Sequence, residues 1–178
     1  IMFGLNMVVS KGKTVFIGDT SVNEYPSSEE LADIAISSAR VARLFGFDPK
    51  VAFLSHSTFG QPMTSRTKHI RDAVEILKDR KVDFKFDGDM QPDVALNEEY
   101  TELYPFSEIV GNANILIMPG QHSAAISNKI MKTLGGAKVI GPLLIGLAQP
   151  IEIAPLRSST SEILDLSLIH ISEPTRPD

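Results

Sequence analysis

The stretch from Gly111 to Pro150 has the pattern of a complete strand, helix, strand unit. Residues 114–118 form a continuous apolar run, which predicts an interior strand covered on both faces. Pro119-Gly120 ends this strand, because proline cannot donate to a sheet ladder and glycine permits a tight turn. A helix is expected next, capped by Ser123 and running to about Leu134. A second apolar strand then begins near Val139.

The helix of this unit has apolar residues at helical spacing, and Gly135-Gly136 is expected to end it. This periodicity is typical of an amphipathic helix. Its apolar stripe consists of Ile126, Ile130, Met131 and Leu134.

The upstream chain repeats the alternation of strand and helix. Strands are predicted at 14–17, 51–54 and 82–86. The spacing of Ser27 and Glu30 predicts a capping box at the start of the first helix, and a second helix is expected around 70–77. The fold class is therefore α/β, with a mostly parallel sheet and helices on both faces. Residues 143–150 are expected to form a further strand followed by a segment that leaves the sheet, and Ser159 or Thr160 is expected to cap a last helix.

Composition excludes several classes of function. The 178 residues contain no cysteine, which excludes disulfides, cysteine-ligated metals and a cysteine nucleophile, and favours a cytoplasmic location. The net charge is −5 and no basic run is present, so we expect no nucleic-acid partner. Neither a membrane-spanning run nor a signal peptide is recognisable.

Both ends of the chain look unnatural. The first residue is Ile1 rather than methionine, which suggests a fragment. The residues 166–178 resemble the translation of a sequencing adaptor, and we expect the native protein to depart from this sequence after about Asp165. His170 is therefore given no role.

Two loops at predicted carboxyl ends of strands carry candidate anion ligands, because ligands of open parallel sheets bind at those ends. The first loop contributes Ser55, His56, Ser57, Thr58 and Gly60. Turn and cap residues of an ordinary connection have the same composition, so the spacing alone favours neither interpretation. The second loop contributes Pro119, Gly120, His122 and Ser123.

A third loop is rich in carboxylates, with Asp87, Asp89 and Asp93 close together. Such a cluster could bind a divalent cation, but Pro92 stands where a calcium loop requires glycine. A polar turn, with Asp93 as a helix cap, is the preferred interpretation, and no metal site is assigned.

Taken together, these loops resemble phosphate acetyl/butyryl transferases. The resemblance is greatest to the phosphotransacetylase-like C-terminal domain of bacterial NADP-dependent malic enzymes. It covers nearly everything from Lys11 to Asp165. The matching blocks are Asp19-Thr20 with Val22-Asn23, EELA at 29–32, LSHSTFG at 54–60, DGDMQ at 87–91 with Asp93, NAN at 112–114, IGP at 140–142 and GLAQP at 146–150.

The resemblance implies two α/β subdomains with acyl-CoA in the cleft between them. Residues 1–165 would belong to this domain, with the second subdomain at about 12–141 and a return segment at 142–165. The first subdomain would be missing. Acyl-CoA or phosphate contacts are then expected from the first two loops and from Asp87, Gln91 and Asp93.

The sequence departs from the transferases at positions expected to bind phosphate. Their Ser-Arg-Gly motif aligns with Pro155, Leu156 and Arg157, so the arginine stands one residue late. Ala124-Ala125 replaces Gly-Asn, and Phe59 replaces a frequent lysine. Ser57 and Arg157 are the remaining catalytic candidates.

These departures favour an allosteric acyl-CoA-binding domain of a homo-oligomeric NADP malic enzyme. The oxidative decarboxylation of malate to pyruvate, with NADP and a divalent metal, would then belong to a missing portion of the protein. The alternative is an active phosphate acetyltransferase that interconverts acetyl-CoA and acetyl phosphate.

Overall fold

A computed structural model of the chain describes residues 1–149, 151–154 and 156–171. Six strands form one mixed sheet in the order β4-β3-β5-β2-β1-β6. The strands β2, β3, β4 and β5 run parallel, whereas β1 is antiparallel to both of its neighbours. The strands are β1 (Phe3–Ser10), β2 (Lys13–Gly18), β3 (Lys50–Leu54), β4 (Lys85–Met90), β5 (Ile115–Ile117) and β6 (Lys138–Ile145).

Helices cover both faces of this sheet, as predicted. The helices α1 and α2 pack on one face, and α3 and α4 pack on the other. In the described ranges, no helix combines the length and the apolar character needed to cross a membrane. The helices are α1 (Ser28–Leu44), α2 (Ser65–Asp79), α3 (Pro92–Leu96), α4 (Gln121–Leu134) and α5 (Thr160–Ile171), with a 3-10 turn at Glu98–Tyr100.

The strand β1 is not among the predicted elements. It forms a hairpin with β2 through Lys11 and Gly12, whose φ angles of 49° and 76° are both positive. Two-residue hairpin turns favour this conformation because its twist matches that of the flanking strands. Lys-Gly is a weaker turn signal than Asn-Gly, so the sequence pattern did not predict β1.

The predicted strand at 82–86 is wrong in its position, because β4 runs from Lys85 to Met90. The carboxylates of Asp87 and Asp89 therefore lie within a strand rather than in a turn. Gly88 permits close packing here, since a Cβ at this position would lie 2.8 Å from the carbonyl oxygen of Phe53. Asp89 is fully buried, and its burial is tolerated because protein groups donate hydrogen bonds to its carboxylate, as described below.

Three cap predictions have different outcomes. The capping box of Ser27 and Glu30 is confirmed. Ser123 is not the cap of α4, because Gly120 occupies that position and the Ser123 hydroxyl donates to the Gly120 carbonyl at 2.8 Å. Asp93 is not the cap of α3 either, since the cap is Gln91.

The strand β6 continues through Gly141-Pro142, where its pairing with β1 shifts register, so the two strands predicted on either side of this dipeptide are one element. The expected subdomain limit at 141 lies inside β6. Ser159 caps α5, because its Oγ accepts from the Glu162 amide at 3.3 Å. The adaptor-like residues 166–178 begin inside α5, and the first of them, Leu166, is buried. The adaptor origin of these residues stays a prediction.

The apolar stripe of α4 does not face the core. Ile126, Ile130 and Leu134 are 58%, 53% and 83% exposed, whereas Ala124 and Asn128 are buried. Only Met131 of the predicted stripe packs partly against the core. The helix turns Ala124, Asn128 and Met131 towards the sheet, which leaves the other large apolar residues outside.

Candidate functional site

The carboxyl ends of β2, β3, β4 and β5 meet at one edge of the sheet. This is the position at which open α/β sheets bind ligands. The predicted acyl-CoA residues lie in the loops that follow these strands or in the first turns of α3 and α4, except Asp87, which lies within β4.

The loop after β2 is organised by the buried carboxylate of Asp19. Its Oδ1 accepts from the amides of Gly4, Ser21 and Val22 at 2.8, 2.9 and 3.2 Å. Its Oδ2 accepts from the amide of Asn23 at 2.6 Å. These bonds saturate the carboxylate, so Asp19 fixes the loop and is not available to a ligand.

The loop after β3 is tied to β4 through Ser57 and Asp89, which are both fully buried. The Ser57 hydroxyl donates to Asp89 Oδ2, and the Gly60 amide donates to Asp89 Oδ1 at 3.0 Å. The Phe59 amide donates to the Asp89 carbonyl at 2.6 Å. Ser57 therefore holds the loop in place instead of presenting a free hydroxyl.

Gln91 makes a second connection between this loop and β4. Its side-chain amide donates to the His56 carbonyl at 2.9 Å, and its backbone amide donates to Thr58 Oγ1 at 3.2 Å. The Ser55 hydroxyl lies 3.4 Å from that of Ser57. His56 is exposed to solvent, unlike Ser57, which is buried.

The remaining carboxylates of this region do not converge. Asp87 Oδ1 accepts from the Gly88 amide at 2.9 Å. Asp93 accepts from the Tyr100 hydroxyl at 3.1 Å, and this bond raises the pKa of Tyr100. Among the described residues, no three histidine or acidic side chains are placed to hold a metal ion.

The second predicted loop, 119–123, lines a separate cleft of about 710 Å³ that we call the helix-start groove. It is bordered by the cap of α1 at Ser27, by the first residues of α2 at Ser65 and Arg66, and by the start of α4. Three helix N-termini therefore open into one groove. Each carries partial positive charge and backbone N–H groups without helical partners, which favour anions. The lining comprises Glu24, Tyr25, Pro26, Ser27, Ser65, Arg66, His69, Ile70, Pro119, Gly120, His122 and Ser123.

The lining of the groove also contains one arginine, two histidines and a glutamate. The exposed Arg66 makes no ion pair with the described residues. His122 Nε2 lies 3.0 Å from Glu24 Oε1. His69 is held at both ring nitrogens, with Nε2 2.8 Å from the Pro26 carbonyl and Nδ1 3.0 Å from the Ser28 hydroxyl. His69 was not predicted, because its neighbours lie about forty residues away in the sequence.

The structure thus divides the predicted ligand residues into two groups. Ser55, His56, Ser57, Thr58 and Gly60 lie with Gln91, whereas Pro119, Gly120, His122 and Ser123 lie in the helix-start groove. The groove lining contains no residue of the first group.

A smaller cavity of about 330 Å³ lies between α4, β6 and α5, and the sequence analysis missed it. We call it the amide pocket, after the carboxamides of Asn6 and Asn128 in its lining. Arg157, the second catalytic candidate, is exposed and lines neither the groove nor this pocket. Pro155 lies outside the described residues. The pocket is formed by Asn6, Thr20, Ser21, Ala125, Asn128, Lys129, Lys132, Ala137, Lys138, Val139, Ile140, Gly141, Pro142, Ser158, Glu162, Asp165 and Leu166.

Comparison with solved structures identifies the class of fold. A phosphotransacetylase from Streptococcus pyogenes superposes with a TM-score of 0.90 at 32% identity, over 97% of this chain and 53% of that one. The family model described as "Phosphate acetyl/butaryl transferase" matches residues 1–171. The chain belongs to this phosphate acetyl/butyryl transferase family.

Two kinds of protein are similar to this chain in sequence. An NADP-dependent malic enzyme from Rhizobium meliloti (strain 1021) is 46% identical over 168 residues, which is 94% of this chain and 22% of the relative. A phosphate acetyltransferase from Clostridium acetobutylicum is 37% identical over 164 residues, which is 91% of this chain and 49% of the relative. The chain therefore spans about a fifth of the former protein and about half of the latter.

Proposed function

We propose that this chain is an acyl-CoA-binding domain of an NADP-dependent malic enzyme, and that it binds its ligand without transferring the acyl group. The observation that carries the proposal is the convergence of three helix N-termini, together with Arg66, on the helix-start groove. Coenzyme A is a polyphosphorylated ligand, and phosphate groups bind well at helix N-termini. The groove volume of about 710 Å³ lies within the range typical of sites for ligands of this kind.

The absence of transfer is supported by the state of the two catalytic candidates. Transfer requires the thiolate of coenzyme A to attack the acetyl carbon of acetyl phosphate, after which the C–O bond breaks and phosphate leaves. Cationic groups must stabilise that phosphate. Arg157 is exposed and lies outside the groove, and Ser57 is engaged by Asp89.

An allosteric role follows from this proposal. Malate oxidation, NADP and a divalent metal would belong to another portion of a cytoplasmic, homo-oligomeric parent protein. Binding of acetyl-CoA here would change that activity only if the ligand binds two states of the protein unequally.

The test is calorimetric titration of the full-length protein with acetyl-CoA, comparing Arg66→Gln with Arg40→Gln. Arg40 is an exposed arginine of α1 outside the groove, so it controls for lost surface charge. We expect about a tenfold loss of affinity in Arg66→Gln, a smaller loss at high salt, and no change in the control. Absence of acetyl-CoA binding to the wild-type protein would contradict the proposal.

The transferase relative at 37% identity favours a second candidate, an active phosphate acetyltransferase. A coupled assay of acetyl-CoA formation from acetyl phosphate distinguishes the two. Turnover that is lost in Arg157→Gln would establish the transferase and overturn binding without transfer. Arg157 suits this test because it is exposed and its side chain makes no hydrogen bond or ion pair with the described residues, so its loss should leave the fold intact.

A further inference from the structure

Three aromatic rings contact one another at the surface beside the loop after β3. The ring centroids of Phe59 and Phe106 are 4.8 Å apart, and the Tyr104 centroid lies 5.3 Å from the former and 6.1 Å from the latter. Phe106 is nevertheless 70% exposed, and Leu103, the neighbour of Tyr104 in the chain, is 67% exposed. We call Phe59, Leu103, Tyr104 and Phe106 the aromatic patch. Single exposed apolar side chains are common, but a group of them is typical of a surface that binds a partner.

Backbone hydrogen bonds hold the segment that carries most of this patch. The amides of Leu103 and Tyr104 donate to the Tyr100 carbonyl at 3.1 and 3.3 Å, and the Ser107 amide donates to the Tyr104 carbonyl at 3.1 Å. The residues that follow, at 109–110, are buried in the core. A partner therefore meets a patch that is already ordered, which lowers the entropic cost of binding.

The aromatic patch lies in an acidic part of the chain. No lysine or arginine occurs between Lys85 and Lys129, whereas this segment contains seven carboxylates. Among the described residues, only Glu108 of the seven forms an ion pair, with Lys85 at 2.8 Å. Three exposed glutamates lie at 98–102, immediately before the patch residues 103–106. This charge disfavours nucleic acids, anionic lipids and a second copy of the same patch, and it favours a partner with positive charge.

We propose that the aromatic patch is the docking surface for a protein segment in which arginine or lysine stands beside an apolar side chain. The apolar side chain packs on the exposed part of Phe106, and the neighbouring cation contacts an aromatic face or a carboxylate such as that of Glu102. Arginine suits both contacts, because its planar guanidinium stacks on rings and pairs with carboxylates. The helix-start groove has none of the four patch residues in its lining, so this proposal does not depend on acyl-CoA binding.

The test measures the fluorescence anisotropy of three labelled peptides of equal length with the full-length protein. The first peptide alternates arginine and leucine, the second has glutamate in place of arginine, and the third has serine in place of leucine. We expect the first peptide to bind at least about tenfold more tightly than the other two. Its affinity should fall at high salt, because salt screens the carboxylates.

Variants of the patch locate the binding site. Phe106→Ser and Leu103→Ser should each weaken binding of the arginine–leucine peptide at least about fivefold, because each removes exposed apolar surface. Ile126→Ser removes a side chain of α4 that is 58% exposed, and it should leave the affinity unchanged. Glu102→Gln should weaken binding about two- to fivefold at low salt, whereas Asp79→Asn removes an exposed carboxylate of α2 and should not.

Three results would overturn the docking surface. The first is an affinity for the arginine–leucine peptide that is undetectable in wild type, or equal in wild type and both patch variants. The second is equal binding of the arginine–leucine and arginine–serine peptides, which general attraction to a negative chain would explain. The third is equal binding of the glutamate–leucine peptide. Melting curves establish that each variant is folded, and Leu103→Ser carries the test if Phe106→Ser is not, because Leu103 makes no ring contact.

Discussion

The Ser57 hydroxyl donates a hydrogen bond to the carboxylate of Asp89, and both side chains are fully buried. The residues lie 32 positions apart, so this bond fastens the loop after β3 to the end of β4. Asp89 also accepts from the Gly60 amide, which closes the loop at its far end. A serine at the carboxyl end of a strand is thereby a structural residue, although its position is typical of an anion ligand.

Replacement of Asp89 should reveal this structural role. Asp89→Ala leaves the Ser57 hydroxyl and the Gly60 amide buried without partners, and we expect it to lower the free energy of unfolding by about 2–5 kcal/mol. Asp89→Asn can still accept from Gly60 and can donate to Ser57, so it should cost about 1 kcal/mol or less. Urea unfolding followed by circular dichroism measures both. Equal stability of Asp89→Ala and wild type would contradict a structural role for the pair.

The sequence predicted the order of strands and helices better than it predicted the side-chain hydrogen bonds and loop contacts. Apolar runs located β2, β3 and β5, because buried parallel strands must be apolar on both faces. The strand β4 was misplaced because it contains two aspartates, of which the buried Asp89 has its side-chain partners in a loop about 30 residues upstream. Likewise, the position of the ligand edge follows from the parallel topology, but the grouping of Pro119 with α2 rather than with Ser55 depends on loop shape.

The exposed stripe of α4 gives a prediction that separates pattern from packing. Ile130→Ser removes an apolar side chain that is 53% exposed, so we expect the free energy of unfolding of the monomer to change by less than about 0.5 kcal/mol. Leu77→Ala, at a fully buried position of α2, should cost about 2–5 kcal/mol in the same urea titration. A loss of similar size in Ile130→Ser would show that the stripe is buried after all.

The start of α5 should respond to acid through Glu162. Its carboxylate accepts hydrogen bonds from Lys132, which has the largest effect, and from the backbone amide and hydroxyl of Ser159. These bonds lower the pKa of Glu162 from the usual 4.5 to about 2. Because the folded-state pKa is depressed, the stabilisation is complete above pH 4.5 and is lost as the pH falls towards 2. Protection factors from amide hydrogen exchange at 160–165 should decrease across this window.

Glu162→Gln provides the control for this titration. It removes the titrating group, so its protection factors should be lower at neutral pH and should no longer vary between pH 4.5 and pH 2. A pH dependence that persists in this variant would assign the effect to other carboxylates.

Gly120 should be required for the shape of the helix-start groove. A Cβ at this position would overlap the carbonyl oxygen of Glu24, so alanine must displace the loop at 23–26 from the start of α4. That displacement also weakens the bond from the Gln121 amide to the Asn23 carbonyl, which measures 3.1 Å. We therefore expect Gly120→Ala to bind acetyl-CoA at least about tenfold more weakly by calorimetry.

Gly136→Ala is the matched control. A Cβ at Gly136 would meet no atom within 4 Å, so the substitution adds only the backbone strain of a φ of 61°, which costs about 1 kcal/mol. If both variants lose stability but only Gly120→Ala loses affinity, the close approach of Gly120 to Glu24 maintains the groove. Equal affinities would show that the groove does not bind acetyl-CoA.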